Sequence, residues 1–362
     1  MGNLLRSTIV AIVLLSAYLV LWPVPIDPVA WDAPVSDGLI DPFGYDERLA
    51  AARGIDLGDV DGPEDAALGL DNLVYVTTPG GAILSVSNSG RVTTFTDVGG
   101  RPLGIATNPD GSFTVANAHI GLQRVSRDGE VATILDTIDG LPIVAANNVA
   151  VASDGVIYFS ESSTKFGTRE FAGSYKASLL DLMEHGGHGR VIEFDPAAGS
   201  ARVLVTGINY ANGVAISEDD DYLLIAETGH YRILRYWLRG PRSGTHEVII
   251  ENLPGFPDNI TAGLQGRFWI GLAAPRSDLL DRLSDKPFLR KVIQRLPALF
   301  RPKAVPSSHV IAITGDGQVL MNLQDPSARF PSMTGVLETR DALYLTRLFG
   351  RHLPRLAKRD LL

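Results

Sequence analysis

The chain contains no cysteine in 362 residues, so it can form no disulfide, no thiolate zinc site and no cysteine nucleophile. That absence is compatible with an oxidising compartment but does not fix one. A positive surplus is also missing, since 32 Lys and Arg stand against 41 Asp and Glu, a formal net charge of -9. A nucleic-acid partner, which would need a basic face to offset phosphate, is not expected. Charge is absent altogether from residues 8–26, a run preceded by Arg6 and followed by Asp27 and Asp32. Its 19 residues are about what a bilayer core of roughly 30 Å requires. The run ends in Trp22-Pro23-Val24-Pro25 without an A-x-A-like cleavage triplet, which favours an uncleaved signal anchor over a cleaved signal peptide or a buried core helix. Trp22 suits a membrane interface and Arg6 the cytoplasmic side. Residues 1–26 are therefore expected to be a single-pass anchor, with the body facing the periplasm, lumen or exterior.

What the chain does have is glycine and proline, 37 and 22 of them, between many short β-rich runs. Residues 27–61 read as a Pro/Asp-rich spacer with a short helix around 45–53. From Gly62 to the C-terminus a pattern repeats. A hydrophobic strand core (Tyr75, Thr114, Tyr158, Leu223, Trp269, Tyr344) follows eleven residues after a reference position six times. The reference positions are Glu64, Leu103, Asn147, Asn212, Asp258 and Met333. Each unit reads as three or four short antiparallel strands joined by turns such as Asp110-Gly111 and Asp154-Gly155. Spacings of about 40 to 65 residues suit propeller blades. The expected fold class is all-β, a six-bladed β-propeller over 62–362, against a generic β-sandwich with accidental spacing. Two helical insertions interrupt it, at 163–189 and 274–306. In the second, Leu289, Val292, Ile293, Leu296 and Leu299 follow helical spacing with Arg290, Lys291 and Arg295 between them. The 287–303 segment is thus a basic amphipathic helix, either lying on the membrane surface or capping the channel mouth.

Four of the six reference positions carry a carboxylate or an amide, and a propeller brings equivalent positions together on its axis. Any one Asn-Gly or Asp-Asn is usually only a turn. Together, Glu64 and Asp258 would neutralise a dication, while Asn147, Asn212 and Asn259 would add neutral oxygens. With no His or Cys among them, this is a calcium set rather than a zinc set. Calcium with open positions could polarise an ester or lactone carbonyl for attack by water, with a base nearby. It could equally only tie the blades together. Asp65 and Asn148, one residue further on, should point the other way along their strands, to bond loop backbone or hold a second metal.

Gly62-Pro63-Glu64, Arg101-Pro102-Leu103-Gly104-Ile105, Tyr158-Phe159-Ser160-Glu161-Ser162-Ser163, Ala211-Asn212-Gly213-Val214, Ala226-Glu227-Thr228 and Leu253-Pro254-Gly255-Phe256-Pro257-Asp258-Asn259-Ile260 resemble the strictosidine-synthase-like proteins. The similarity is greatest to the branch of the adipocyte plasma-membrane-associated protein. It runs from about residue 55 to the C-terminus, and the anchor matches as well. It implies a propeller related to the paraoxonases and gluconolactonases, hydrolases whose calcium is held by a Glu, an Asp and two or three Asn. Glu64, Asn147, Asn212, Asp258 and Asn259 match that set. Two positions depart from the relatives. Leu103 stands where paraoxonases have a catalytic His, and Thr334 where strictosidine synthase has a Glu. A strictosidine-type condensation is therefore not favoured. His119 is the candidate substitute base, with a satisfied loop histidine as the alternative, and His185 and His188 could overhang the channel. Glu161 and Glu227 are expected to hydrogen-bond within their blades. The expectation is a membrane-anchored, calcium-dependent hydrolase of lactones or aryl esters, with a non-catalytic binding propeller holding structural calcium as its rival.

Overall fold

A computed structural model describes residues 2–361. Among them, six four-stranded antiparallel sheets stand around a common axis. The innermost strands are 66–68, 102–107, 146–151, 211–216, 255–262 and 333–338. Each contacts the next, and the sixth contacts the first, so the ring closes. This is the expected six-bladed propeller, and buried aliphatic and aromatic side chains fill the space between neighbouring blades. Val76 and Leu84 of blade one, for instance, pack on Tyr344 and Leu353 of blade six.

The chain enters the propeller earlier than residue 62. Arg53–Asp56 is the outermost strand of blade six, pairing with His352–Ala357 from Arg53↔Arg355 to Asp56↔His352. The junction of anchor and spacer and the spacer itself are not free either, and Val29 N donates to the Glu184 carbonyl at 2.8 Å. Ile26 and Leu49 are buried, and a short 3-10 helix at Arg48–Ala51 replaces the longer helix expected around 45–53.

The hydrophobic centres eleven residues after the reference positions lie on the second strand of each blade. Five of the reference positions (Leu103, Asn147, Asn212, Asp258, Met333) lie on the innermost strand itself, and Glu64 sits just before it. In blades two to six this strand breaks register where the reference position falls, between Pro102 and Gly104, Ala146 and Val149, Ala211 and Val214, Pro257 and Ile260, and Met333 and Gly335. Such a bulge re-aims side chains that plain alternation would send to opposite faces. It also corrects the sixth reference position. Met333 is buried in the apolar core, and Thr334 occupies the bulge as Leu103, Asn147 and Asn212 do.

Both insertions are helical and sit at the end of the propeller where the innermost strands begin. The first supplies α2 (Ser174–Glu184). The second supplies α3 (Asp278–Arg282) and α4 (Pro287–Arg295). The N-terminal helix, α1 (Gly2–Leu21), is apolar and about 30 Å long at 1.5 Å per residue. By length and composition it suffices to cross a bilayer.

Candidate functional site

Glu64, Leu103, Asn147, Asn212 and Asp258 line a single cavity of about 720 Å³ at the axis. Their convergence follows from the repeat, since one position per blade is turned toward the same centre. The innermost strands approach so closely here that a Cβ on Gly213 would come within 2.2 Å of the Ile260 nitrogen. Asn212-Gly213 is therefore a close strand contact and not a turn.

The amides are held in one sense. Thr228 donates its hydroxyl proton to the Pro257 carbonyl at 2.7 Å. Its oxygen is thus left to accept from Asn212 Nδ2 at 3.3 Å, which turns Asn212 Oδ1 away. That oxygen is buried without a hydrogen-bond partner. Asn147 Nδ2 likewise donates to Ser162 Oγ at 2.7 Å. Asn259 Nδ2 donates to the Glu64 carbonyl at 3.0 Å, leaving Asn259 Oδ1 buried and unpartnered as well. Asn259 does not line the cavity itself. Thr334 Oγ1 donates to the same Glu64 carbonyl at 2.7 Å.

The carboxylates are poorly neutralised. Burial pushes the Glu64 carboxyl up to about 7, against the pull of Arg101, whose Nη2 stands 3.1 Å away. Burial, and then the charge of Glu64, push Asp258 well above the usual carboxylate range. Asp65 is raised to about 7 by burial, despite accepting hydrogen bonds from the Ile105 and Ala66 backbone. Asp65 and Asn148 stitch innermost strands together, because Asn148 donates to Asp65 at 3.2 Å and accepts from Val214 N at 2.9 Å. They serve strand backbone rather than loops.

The unpartnered Asn212 oxygen, the Asn147 amide and the raised Glu64 and Asp258 carboxyls give the cavity an all-oxygen donor set, which fits a hard cation of the calcium type. The amides are essential to that fit. Among the described residues, no group of three or more His, Cys, Asp or Glu side chains is placed to hold a metal.

The other expected residues fall elsewhere. His119 is partly buried outside the cavity lining, and burial, then the charges of Arg169 and Arg101, lower its pKa. His185 and His188 also lie outside that lining. The His185 ring stacks on Trp31 at 4.0 Å and its Nε2 meets His230 Nε2 at 3.1 Å, while His188 pairs with Glu184 at 2.6 Å. Glu161 pairs with Arg190 and Glu227 with Arg232, within their blades as expected. Sequence reasoning gave no role to Arg101 or to Tyr210, which lines the cavity with a left-handed φ of 61°. Both stand two residues ahead of an axial position, at Leu103 and Asn212, and that spacing is the signal that could have found them.

A family model described as strictosidine synthase matches residues 147–241, and one described as strictosidine synthase-like, N-terminal, matches 41–86. The adipocyte plasma membrane-associated protein of Bos taurus is 33% identical over 353 residues, covering 90% of this chain and 82% of that protein. The chain belongs to the strictosidine synthase-like family. Strictosidine synthase-like 6 of Arabidopsis thaliana, another relative, is 31% identical over 89% of this chain and 85% of its own. Among solved structures, a Xanthomonas campestris gluconolactonase aligns with a TM-score of 0.63 at 17% identity, covering 86% of this chain and 93% of its own. The calcium-binding protein regucalcin of Agrobacterium tumefaciens aligns at 0.59 and 14% identity, covering 84% and 93%. At such identities the two structures speak for the propeller alone.

Proposed function

We propose that this strictosidine synthase-like propeller is a membrane-anchored, calcium-dependent hydrolase of lactones or aryl esters. The observation that carries the reading is the unpartnered Asn212 Oδ1 beside the raised Asp258 carboxyl, at the floor of a cavity with mainly apolar walls. Glu64, Asn147, Asn212, Asp258 and Asn259 would hold the calcium, which supplies positive charge against a carbonyl oxygen. The chain's own part is to bind and orient. Leu103, Leu348, Phe349 and the apolar face of α2 wall the cavity, so an ester or lactone ring would be held away from bulk water. Tyr210 places its phenol on the same wall, where burial first, then Asp258, hold its proton firmly in place.

A retained anchor is supported by how the body treats it. Arg295 is only 7% exposed, and its guanidinium donates to the carbonyls of Leu19, at 3.0 Å, and Trp22. Removing residues 1–22 would leave that buried charge without these acceptors, a costly state.

The test is hydrolysis of a small lactone and aryl-ester panel by the full chain, with calcium and after chelation. Activity should vanish with chelator and return with calcium. Asn212→Ala should lose turnover while keeping its melting temperature, and unchanged hydrolysis by that variant would sink the reading. A binding propeller with structural calcium is favoured by one specific observation: Leu103 occupies an axial position where a base would stand, and His119 does not line the cavity. No turnover, with a large calcium-dependent rise in melting temperature, is the result that reading predicts.

A further inference from the structure

The cavity and the anchor share a wall. Pro25 lines the cavity and follows the last residue of α1, Leu21, by four positions, which span at most about 14 Å. The chain between them is not slack. Tyr18 donates its hydroxyl to the Arg295 carbonyl at 2.9 Å, and Arg295 caps the last turn of α1 in return. Arg290, fully buried in α4, donates to the carbonyls of Val29, Met183 and Ser284, tying the segment after the anchor to α2 and α3. The end of the apolar helix is thereby fixed to the helices that frame the cavity mouth.

Around that mouth the surface is apolar where a water-facing surface would not be. Leu299 is 75% exposed, Phe300 69% and Val305 63%, in the segment that follows α4 and contributes Arg301 to Val305 to the cavity lining. Phe288 on α4 is 54% exposed. Clustered exposed apolar side chains mark an interaction surface, and continuity with the apolar helix says which one. A lipid surface is the partner that Leu299, Phe300 and Val305 meet when α1 spans a bilayer.

We infer that the cavity opens into the bilayer interface and takes its substrate from the lipid phase: an amphiphile with a hydrocarbon chain and an ester or lactone head. The chain would pass between α2 and the 299–305 segment while the head reaches the axial oxygens. The substrate class rests on the hydrolase reading; the membrane-facing mouth does not.

The absence of native cysteine permits a clean test on the full chain in vesicles of phosphatidylcholine and phosphatidylglycerol. Bimane is attached to Phe300→Cys, to Val305→Cys and, as control, to Ser89→Cys, in the turn between the outer strands of blade one at the opposite end of the propeller. Nitroxide-labelled phospholipid should quench the first two labels several-fold more than the third. Equal quenching at all three, or none, overturns the membrane-facing mouth. A bimane at Leu179→Cys, on the cavity wall, should then respond to δ-dodecalactone dissolved in the vesicles and not to the same total amount of δ-valerolactone. An equal response to both, or a response to δ-valerolactone alone, overturns lipid-phase supply. These readouts need no turnover, so failure of hydrolysis on the panel leaves them standing and is recognised separately.

Discussion

Two sets of buried carboxylates, one on the second strands of blades three and four and one at the axis in blades one and five, are treated in opposite ways. Glu161 and Glu227 end the second strands of blades three and four, and each meets an arginine of the next strand within 2.7 Å. Burial alone would raise Glu227, but His230 and Arg232 outweigh it and hold its carboxyl at about 2. Glu64 and Asp258, at the axis, have one arginine between them, and both are raised. The fold can pair a buried charge when it needs to. At the axis it leaves Asp258 without a cationic partner and Glu64 with a single contact, beside the unpartnered Asn212 oxygen, which is the arrangement that the proposed cation would complete.

The largest effect should come from breaking a satisfied pair. Glu161→Ala leaves Arg190, 12% exposed, without its partner and should cost about 3–5 kcal/mol in urea unfolding. Asp258→Asn removes a buried charge that Glu64 repels. In the metal-free protein it should leave stability unchanged or raise it, while abolishing the calcium-dependent rise in melting temperature. A loss for Asp258→Asn as large as for Glu161→Ala would erase the distinction between the two sets.

The two sets also predict opposite pH dependences. For Glu227 the folded value is below the unfolded one, so its contribution is present above about 4.3 and is lost as pH falls toward about 2. For Glu64 the folded value is above the unfolded one. Metal-free stability should be full below about 4.3 and fall as pH rises through about 7. Thermal melts with chelator from pH 5 to 8 should show that decline, and added calcium should reverse it at pH 8. A flat profile across this window would remove the electrostatic case for a cation site.

Much of this was legible in the sequence because a propeller is periodic. One phase relation placed Asn147, Asn212 and Asp258 on a common axis without any long-range information. The irregular parts were not legible for physical reasons. The bulges shift which residue faces inward, so Met333 was read where Thr334 stands. Arg53–Asp56 carries one large apolar residue and pairs with a strand some 300 residues away, and no local pattern announces that. In α4 the basic residues looked like a face for lipid headgroups. Arg290 and Arg295 instead turn inward to backbone carbonyls, so the helix is a cap whose outer surface is apolar. Lys291 alone of the three reaches outward, to Asp27 at 2.7 Å.

Arg101 gives the smallest effect and the finest test of the comparison. It stands to Glu64 as Arg190 stands to Glu161, but it makes one contact at 3.1 Å and leaves its other terminal nitrogen buried without a partner. Glu64 is thus half-way between the two treatments, and Arg101 competes with any cation for its charge. At pH 9, well above the value of about 7 that Glu64 has beside Arg101, Arg101→Gln should bind calcium more tightly, by less than about tenfold or 1.4 kcal/mol. At pH 6 the gain should shrink or reverse, because losing Arg101 raises the Glu64 carboxyl further and a proton then takes the place of calcium. Calorimetric calcium titrations at the two pH values distinguish these signs. Weaker binding at both would show that Arg101 supports the cation site rather than competing with it.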